Sequence, residues 1–174
     1  MIYKYKKQAG FGIVAMIVTI VGILSVISFF ALRGTDTSAV LNNSAITNTI
    51  VAQAGVIRAR ILSCSIEYPT GNNGTGFRPQ YPAATTAVNI SELTCPGANN
   101  ANIWTLLDGV TTPIGVNGFN TWQYVNDGTS LRIMITATTP EKISLLPSLV
   151  TMLGAAQTSI ATTPANTLVW VIVN

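Results

Sequence analysis

Histidine is absent from this 174-residue chain, and charged side chains are few: nine are basic and six are acidic. The absence of histidine excludes a Ser-His-Asp triad, a Cys-His pair and a His-ligated zinc site. No two acids are closely spaced, and Asp108, Asp127 and Glu141 stand in turn or helix-cap contexts. The sequence therefore predicts no enzyme, no metal site and no cofactor.

The few basic residues are unevenly distributed. Lys4, Lys6 and Lys7 lie in the first ten residues, and the other six basic residues balance the six acids. A basic patch for nucleic acid is therefore not predicted, and no direct nucleic-acid site is evident. The three lysines follow the positive-inside rule, which places the first ten residues in the cytoplasm and the remainder outside.

An apolar run without any charge extends from Phe11 to Leu32, directly after the short basic stretch that ends at Gly10. Its 22 residues are enough to cross the hydrocarbon core of a bilayer, which is about 30 Å thick. The run is longer than the apolar part of a secretory signal, and no A-x-A site follows it. This order predicts that a leader, 1–10, is removed and that a transmembrane helix, 11–33, is kept.

The stretch KKQAG followed by FGIVAMIVTIVGIL resembles the class III leader of type IV pilins and type II secretion pseudopilins. The resemblance implies a prepilin peptidase that cuts after Gly10 and N-methylation of the new amino terminus on Phe11. It also implies three further partners: other pilin subunits, an inner-membrane assembly platform and, before assembly, membrane lipid. The chain departs from the family at its fifth mature position, where Ala15 replaces the usual glutamate.

The two cysteines, Cys64 and Cys95, both lie in the part predicted to be exported. An even count in an oxidising compartment indicates one disulfide, whereas a reducing compartment would leave two free thiols. A bond between them would close a loop of about 30 residues and stabilise the fold by about 3–4 kcal/mol in the chain-entropy description.

The helix is predicted to continue beyond the membrane segment as an amphipathic half, over 34–65. Apolar residues recur there at spacings of three and four: Ile46, Ile50, Ala54, Ile57 and Ile61. That spacing places them on one face of a helix. The helix is expected to end near Cys64, before Tyr68-Pro69 and the glycine-rich segment 71–76.

Residues 66–174 are predicted to form an extracytoplasmic sheet domain with a disulfide-closed loop. The segment 69–96 has a loop-like composition, with a short strand or turn around 87–93. Strands are predicted over 102–107, 119–125, 131–138 and 167–173, the last one central in the sheet. Asn126-Asp127-Gly128 predicts a hairpin turn between the second and third of these strands.

A helix is predicted over 140–157, with Thr139 as its cap and Pro147 as a break or restart. The three tryptophans, Trp104, Trp122 and Trp170, are interpreted as core or sheet packing. The predicted fold class is therefore α+β, with a long N-terminal helix packed on a small, mostly antiparallel sheet, as in pilins.

The resemblance implies a structural subunit of a type IV pilus-like filament. Such a subunit is held in the bacterial inner membrane as a precursor and displayed at the cell surface after assembly. Ala15 favours a minor pilin, because the usual glutamate is thought to neutralise the terminal amine of a neighbouring subunit. Two alternatives are a major pilin of unusual type and a membrane-anchored extracytoplasmic binding domain that does not polymerise.

Overall fold

The computed structural model describes residues 42–106 and 111–173. The predicted leader, the Gly10-Phe11 junction, Ala15 and the membrane segment 11–33 lie outside the described residues. The disulfide-linked domain and the predicted amphipathic part of the helix from residue 42 onward lie within them.

The first helix, α1, covers Asn42–Glu67. Its predicted apolar stripe is confirmed: Ile50, Ala54, Ile57 and Ile61 have no exposed surface. The helix ends two residues beyond the predicted end, where Pro69 follows and cannot continue the hydrogen-bond pattern. The spacing of apolar residues therefore located both the helix and its buried face.

Among the described residues, seven strands and two further helices follow α1. In chain order they are β1 (Ala84–Asn89), β2 (Thr94–Cys95), β3 (Ala101–Asn102), β4 (Gln123–Asn126), β5 (Leu131–Thr136), α2 (Pro140–Ile143), α3 (Leu146–Leu153), β6 (Thr158–Thr162) and β7 (Ala165–Val173). A short 3-10 turn, Ile90–Glu92, lies between β1 and β2.

The main sheet has five antiparallel strands in the order β1-β4-β5-β7-β6, and β2 pairs separately with β3. The final strand, β7, lies between β5 and β6, as its continuous apolar sequence predicted. The coarse α+β description is therefore confirmed. The edges of the sheet are β1 on one side and β6 on the other.

The predicted hairpin joins β4 to β5, with Asn126 paired to Leu131. Asp127 shapes the turn, since its Oδ1 accepts hydrogen bonds from the backbone N–H groups of Thr129 and Ser130. Gly128 has a φ of 95°, a conformation that favours glycine. The alternate β5 residues Leu131, Ile133 and Ile135 belong to the core, and Met134 is buried outside it.

Two strand predictions need correction. The strand predicted over 102–107 ends at Asn102. The Oδ1 atom of Asn102 accepts a hydrogen bond from the backbone N–H of Trp104, and this bond closes a turn. The strand predicted over 119–125 begins only at Gln123, and Phe119 makes one isolated bridge to Ala137.

The helix predicted over 140–157 is also corrected. It is divided into α2 and α3, the second has Pro147 in its first turn, and it ends at Leu153 before Gly154. The Thr139 side chain makes no capping bond; its hydroxyl is buried with no partner among the described residues, and its carbonyl accepts the first backbone bonds instead.

One core joins α1 to the main sheet and to α3. Its members include the buried stripe of α1, alternate residues of β5 and β7, and two leucines of α3, which are Leu146 and Leu149. The three tryptophans are each at least nine-tenths buried, which confirms their interpretation as packing residues. The indole N–H groups of Trp104 and Trp122 donate to Ile90 O and Gln53 Oε1.

Candidate assembly surface

The face of α1 opposite its buried stripe is exposed and uncharged. We call it the outer face of α1 and define it by six residues: Ala45, Asn48, Ala52, Gly55, Val56 and Ala59. The first 16 residues of the helix, 42–57, contain no charge at all. When one face of a helix contacts only water, that face usually carries charged or strongly polar residues. This outer face has small side chains instead.

Gln53 lies between the two faces and fixes α1 to two other segments. Its Oε1 accepts the indole N–H of Trp122 at 2.8 Å, and its Nε2 donates to the carbonyl of Ile114 at 2.9 Å. One side chain therefore connects α1 to the sheet and to the 111–118 segment. This double link holds the rotation of the helix, so that the outer face stays outward.

The disulfide fixes the carboxyl end of the same helix. Cys64 and Cys95 are bonded, with their Cα atoms 5.7 Å apart and a sequence separation of 31. Both cysteines are buried, and neither is free. The predicted disulfide is therefore confirmed, and it joins α1 to β2.

Two glycines permit the close approach that this bond requires. A Cβ added at Gly71 would lie 2.7 Å from the backbone nitrogen of Gly97, a separation that real side chains do not adopt. A Cβ added at Gly97 would collide with Cβ of Tyr68. The segments on either side of the disulfide thus pack backbone against backbone.

The basic residues of α1 lie toward its carboxyl end. The Arg58 guanidinium carbon lies 5.4 Å from the centre of the Trp170 ring, in a cation–π arrangement. Arg60 is 7% exposed. Within residues 42–106 and 111–173, the ion pair found is Asp127 with Arg132 at 2.6 Å. The charged residues of α1 therefore all lie beyond residue 57, away from the amino-terminal part of the outer face.

In the described part of the chain, two titratable groups have clearly shifted pKa values. The pKa of Asp127 falls from 3.8 to about 2, chiefly because the Thr129 hydroxyl donates to it, with further help from backbone N–H groups and Arg132. Burial strongly raises the pKa of Tyr124, whose hydroxyl donates to the carbonyl of Pro82. Both groups shape the turn and the core, and neither faces the outer surface of α1.

By length and composition alone, α1 is able to cross a membrane. Its stripe, however, is buried against the sheet, and the core helix of a water-soluble domain satisfies the same two criteria. The segment predicted to be transmembrane, 11–33, is a different stretch outside the described residues. Among the described residues, α1 therefore meets the length and hydropathy criteria, and its most apolar face is buried in the domain core.

Of the residues predicted from sequence, the structure brings Cys64 and Cys95 together. Gly10 and Phe11 lie outside the described residues. In the described part of the chain, no group of three Cys, Asp or Glu side chains is placed to hold a metal. The sequence patterns did not predict the outer face of α1, although the absence of charge from 42–57 is a signal for it.

Comparisons with protein-family models, curated proteins and solved structures gave no match to this chain.

Proposed function

We propose that this chain is a structural subunit of a type IV pilus-like filament, made as a prepilin, cleaved after Gly10 and assembled through its N-terminal helix. The main support for the proposal is the difference between the two faces of α1. One face is buried inside the domain, while the other is exposed and consists mostly of small, uncharged side chains. Burying such a face against a neighbour leaves no charge without a partner, and small residues let two helices approach closely.

The order of the sequence before α1 supports the same proposal. The basic leader, the Gly10-Phe11 junction and the apolar run 11–32 precede the uncharged half of α1, with Arg33 and Asp36 as the only charges between. Charge is thus nearly absent from Phe11 to Ile57. A polymerisation helix needs such a surface, because its partners are lipid before assembly and other helices afterwards.

The buried disulfide supports export. Disulfides persist in oxidising compartments, and this one holds the end of α1 against the sheet. The proposed path begins in the bacterial inner membrane and ends at the cell surface. Its partners are other pilin subunits, the prepilin peptidase, the assembly platform and, before assembly, lipid. In this role the chain is structural and not an enzyme.

Ala15 favours a minor subunit within this proposal. A buried terminal amine on Phe11 needs a neutralising partner, and Ala15 supplies none to a neighbouring copy. A subunit at the filament tip has no neighbour above it and therefore escapes this requirement. The alternatives are a major pilin whose amine is satisfied by other groups and an anchored binding domain that never polymerises.

The experiment is intact-mass and N-terminal analysis of protein sheared from cells that carry the prepilin peptidase and the assembly platform. We expect a chain that begins at methylated Phe11. Gly10→Ala should leave the full-length chain in the membrane and remove it from the sheared fraction. The matched control is Gly115→Ala, at an open position where an added Cβ meets nothing within 4 Å.

The possible results separate the three readings. Trace abundance of the cleaved chain in the sheared fraction supports a minor subunit, and dominance indicates a major pilin. If the wild-type chain keeps Met1 and stays only in the membrane, the filament proposal is wrong and the anchored binding domain takes its place.

A further inference from the structure

The chain contains two Asn-Gly pairs, Asn73-Gly74 and Asn117-Gly118, and both lie in segments between helices and strands. In such a pair, the backbone nitrogen of the glycine can attack the side-chain carbonyl carbon of the asparagine. Glycine favours this ring closure, because it has no Cβ to hinder the approach or the backbone rotation that the reaction needs. The surroundings of each pair therefore decide whether the reaction proceeds.

Hydrogen bonds hold both reacting groups of the first pair. The Nδ2 atom of Asn73 donates to three backbone carbonyl oxygens at 3.0, 3.2 and 3.3 Å. Its Oδ1 accepts hydrogen bonds from the backbone N–H and the hydroxyl of Thr75 at 2.9 and 2.8 Å. The Gly74 N–H donates to Oδ1 of Asn72 at 2.9 Å. Ring closure at Asn73 would therefore require this loop to open locally.

The second pair lacks these restraints. Asn117 is exposed and lies in a turn that is closed by a hydrogen bond from Phe119 N to Val116 O at 2.9 Å. Among the described residues, neither the side-chain amide of Asn117 nor the N–H of Gly118 has a hydrogen-bond partner. The amide can therefore rotate toward the Gly118 nitrogen without breaking a hydrogen bond of the folded domain.

The turn requires a glycine directly after Asn117. Gly118 has a φ of 82°, a conformation that other residues rarely adopt. A Cβ added there would lie 2.5 Å from Cγ of Lys142, and the Gly118 carbonyl accepts the backbone N–H of Thr138 at 2.9 Å. The packing of the turn thus keeps the residue that most favours ring closure next to an exposed asparagine.

We propose that Asn117 is a site of spontaneous deamidation in the folded chain and that Asn73 is protected from it. A bond forms between Gly118 N and Asn117 Cγ, and the bond between Cγ and Nδ2 breaks. The proton on Gly118 N passes to solvent hydroxide, and the amide nitrogen leaves as ammonia after taking a proton from water. Water then hydrolyses the succinimide ring at either carbonyl carbon, which leaves aspartate or isoaspartate at position 117.

Deamidation would change the charge of the segment that is bonded to α1. The carbonyl of Ile114 in this segment accepts a hydrogen bond from the Gln53 amide, so a carboxylate at position 117 would lie close in sequence to that link. The isoaspartate product would also insert an extra carbon into the main chain of the turn. This inference does not rest on the proposed filament function, because it uses only groups within the folded domain.

Peptide mapping of the full-length chain in detergent, at mildly alkaline pH, tests the proposal. After reduction of the disulfide, cleavage at Glu67 and Glu92 places Asn73 and Asn117 in separate peptides for mass spectrometry. The folded chain is incubated for the time that converts half of Asn117 in the denatured chain. We expect Asn117 to react about tenfold faster than Asn73 in the folded chain, and the two rates to converge after denaturation. Equal rates in the folded chain, a difference that persists unchanged after denaturation, or an unreacted Asn117 overturns the proposal.

Substitutions identify the reacting residue. Asn117→Gln should remove the acidic species that isoelectric focusing detects in the aged wild-type chain, because ring closure through the longer side chain is slow. The matched control is Asn73→Gln, which should leave that species unchanged, and Asn117→Asp provides the migration standard. An acidic species that persists in Asn117→Gln, or that disappears in Asn73→Gln, overturns the assignment.

Discussion

One face of α1 is made of branched apolar side chains, and the opposite face is made of small uncharged ones. The buried face includes Ile50, Ile57 and Ile61, which have no exposed surface. The outer face includes Ala52 and Ala59, both exposed. A helix face that is exposed to water usually carries charged or strongly polar residues. The comparison indicates that the first face stabilises the domain, whereas the second face is the surface through which the proposed filament contact would form.

The largest expected effect on stability comes from truncating a side chain of the buried face. Ile57→Ala removes a fully buried side chain and should lower the free energy of unfolding by about 2–5 kcal/mol, since the core loses apolar burial and gains a cavity. The neighbouring Val56→Ala, at a 40% exposed position, should cost less than about 1 kcal/mol. Chemical denaturation of both variants measures the difference. Equal losses would contradict the assignment of the two faces.

The next largest effect on stability comes from the Cys64–Cys95 disulfide at the carboxyl end of α1. Replacing both Cys64 and Cys95 by serine should lower the free energy of unfolding by about 2–4 kcal/mol, because the unfolded chain regains the freedom that the cross-link removed. The wild-type chain under reducing conditions should show a similar loss. An unchanged denaturation midpoint in oxidising buffer would show that the bond contributes nothing to stability.

A smaller effect comes from a charged turn that belongs to neither face of α1. The pKa of Asp127 is lowered to about 2, so its ionised form stabilises the folded chain above about pH 4, and this contribution is lost as the pH falls through about 2. Asp127→Asn should remove it at a cost of less than about 1 kcal/mol near neutral pH, because the Asp127–Arg132 pair is partly exposed.

Comparison of stability against pH from 2 to 7 tests this prediction, with Glu141→Gln as the control carboxylate. A pH profile unchanged by Asp127→Asn would contradict it. The result also measures how much one partly exposed carboxylate and its partners contribute to the free energy of unfolding of this domain.

The smallest effect on stability, and the sharpest test of the comparison, comes from charging the outer face. Ala52→Glu should change the free energy of unfolding by less than about 0.5 kcal/mol, because the position is exposed. In the proposed filament, however, it would bury a carboxylate without a partner and prevent incorporation.

The fraction of each variant recovered in sheared filaments measures the effect of Ala52→Glu. The matched control is Thr111→Glu, at an exposed position in the 111–118 segment, which should be incorporated normally. Normal incorporation of Ala52→Glu would contradict the role of the outer face.

Periodicity predicted the elements that bury one regular stripe. It located α1 through the spacing of Ile50, Ala54, Ile57 and Ile61, and the strand predicted over 131–138 is present as β5, Leu131–Thr136. It failed where local hydrogen bonds or pairing decide the structure. The Asn102 side chain ended a predicted strand, and β1, whose sequence is ATTAVN, is a strand because it pairs with β4.

The sequence by itself determined the apolar run 11–32, the uncharged stretch 42–57 and the presence of two cysteines, because these depend only on which residues are there. The tertiary structure alone decided which face of α1 stays outward, since Gln53 and the sheet fix its rotation. It also decided that β6 lies at an edge, because strand order follows from side-chain burial summed over the whole domain, and no local segment encodes that sum.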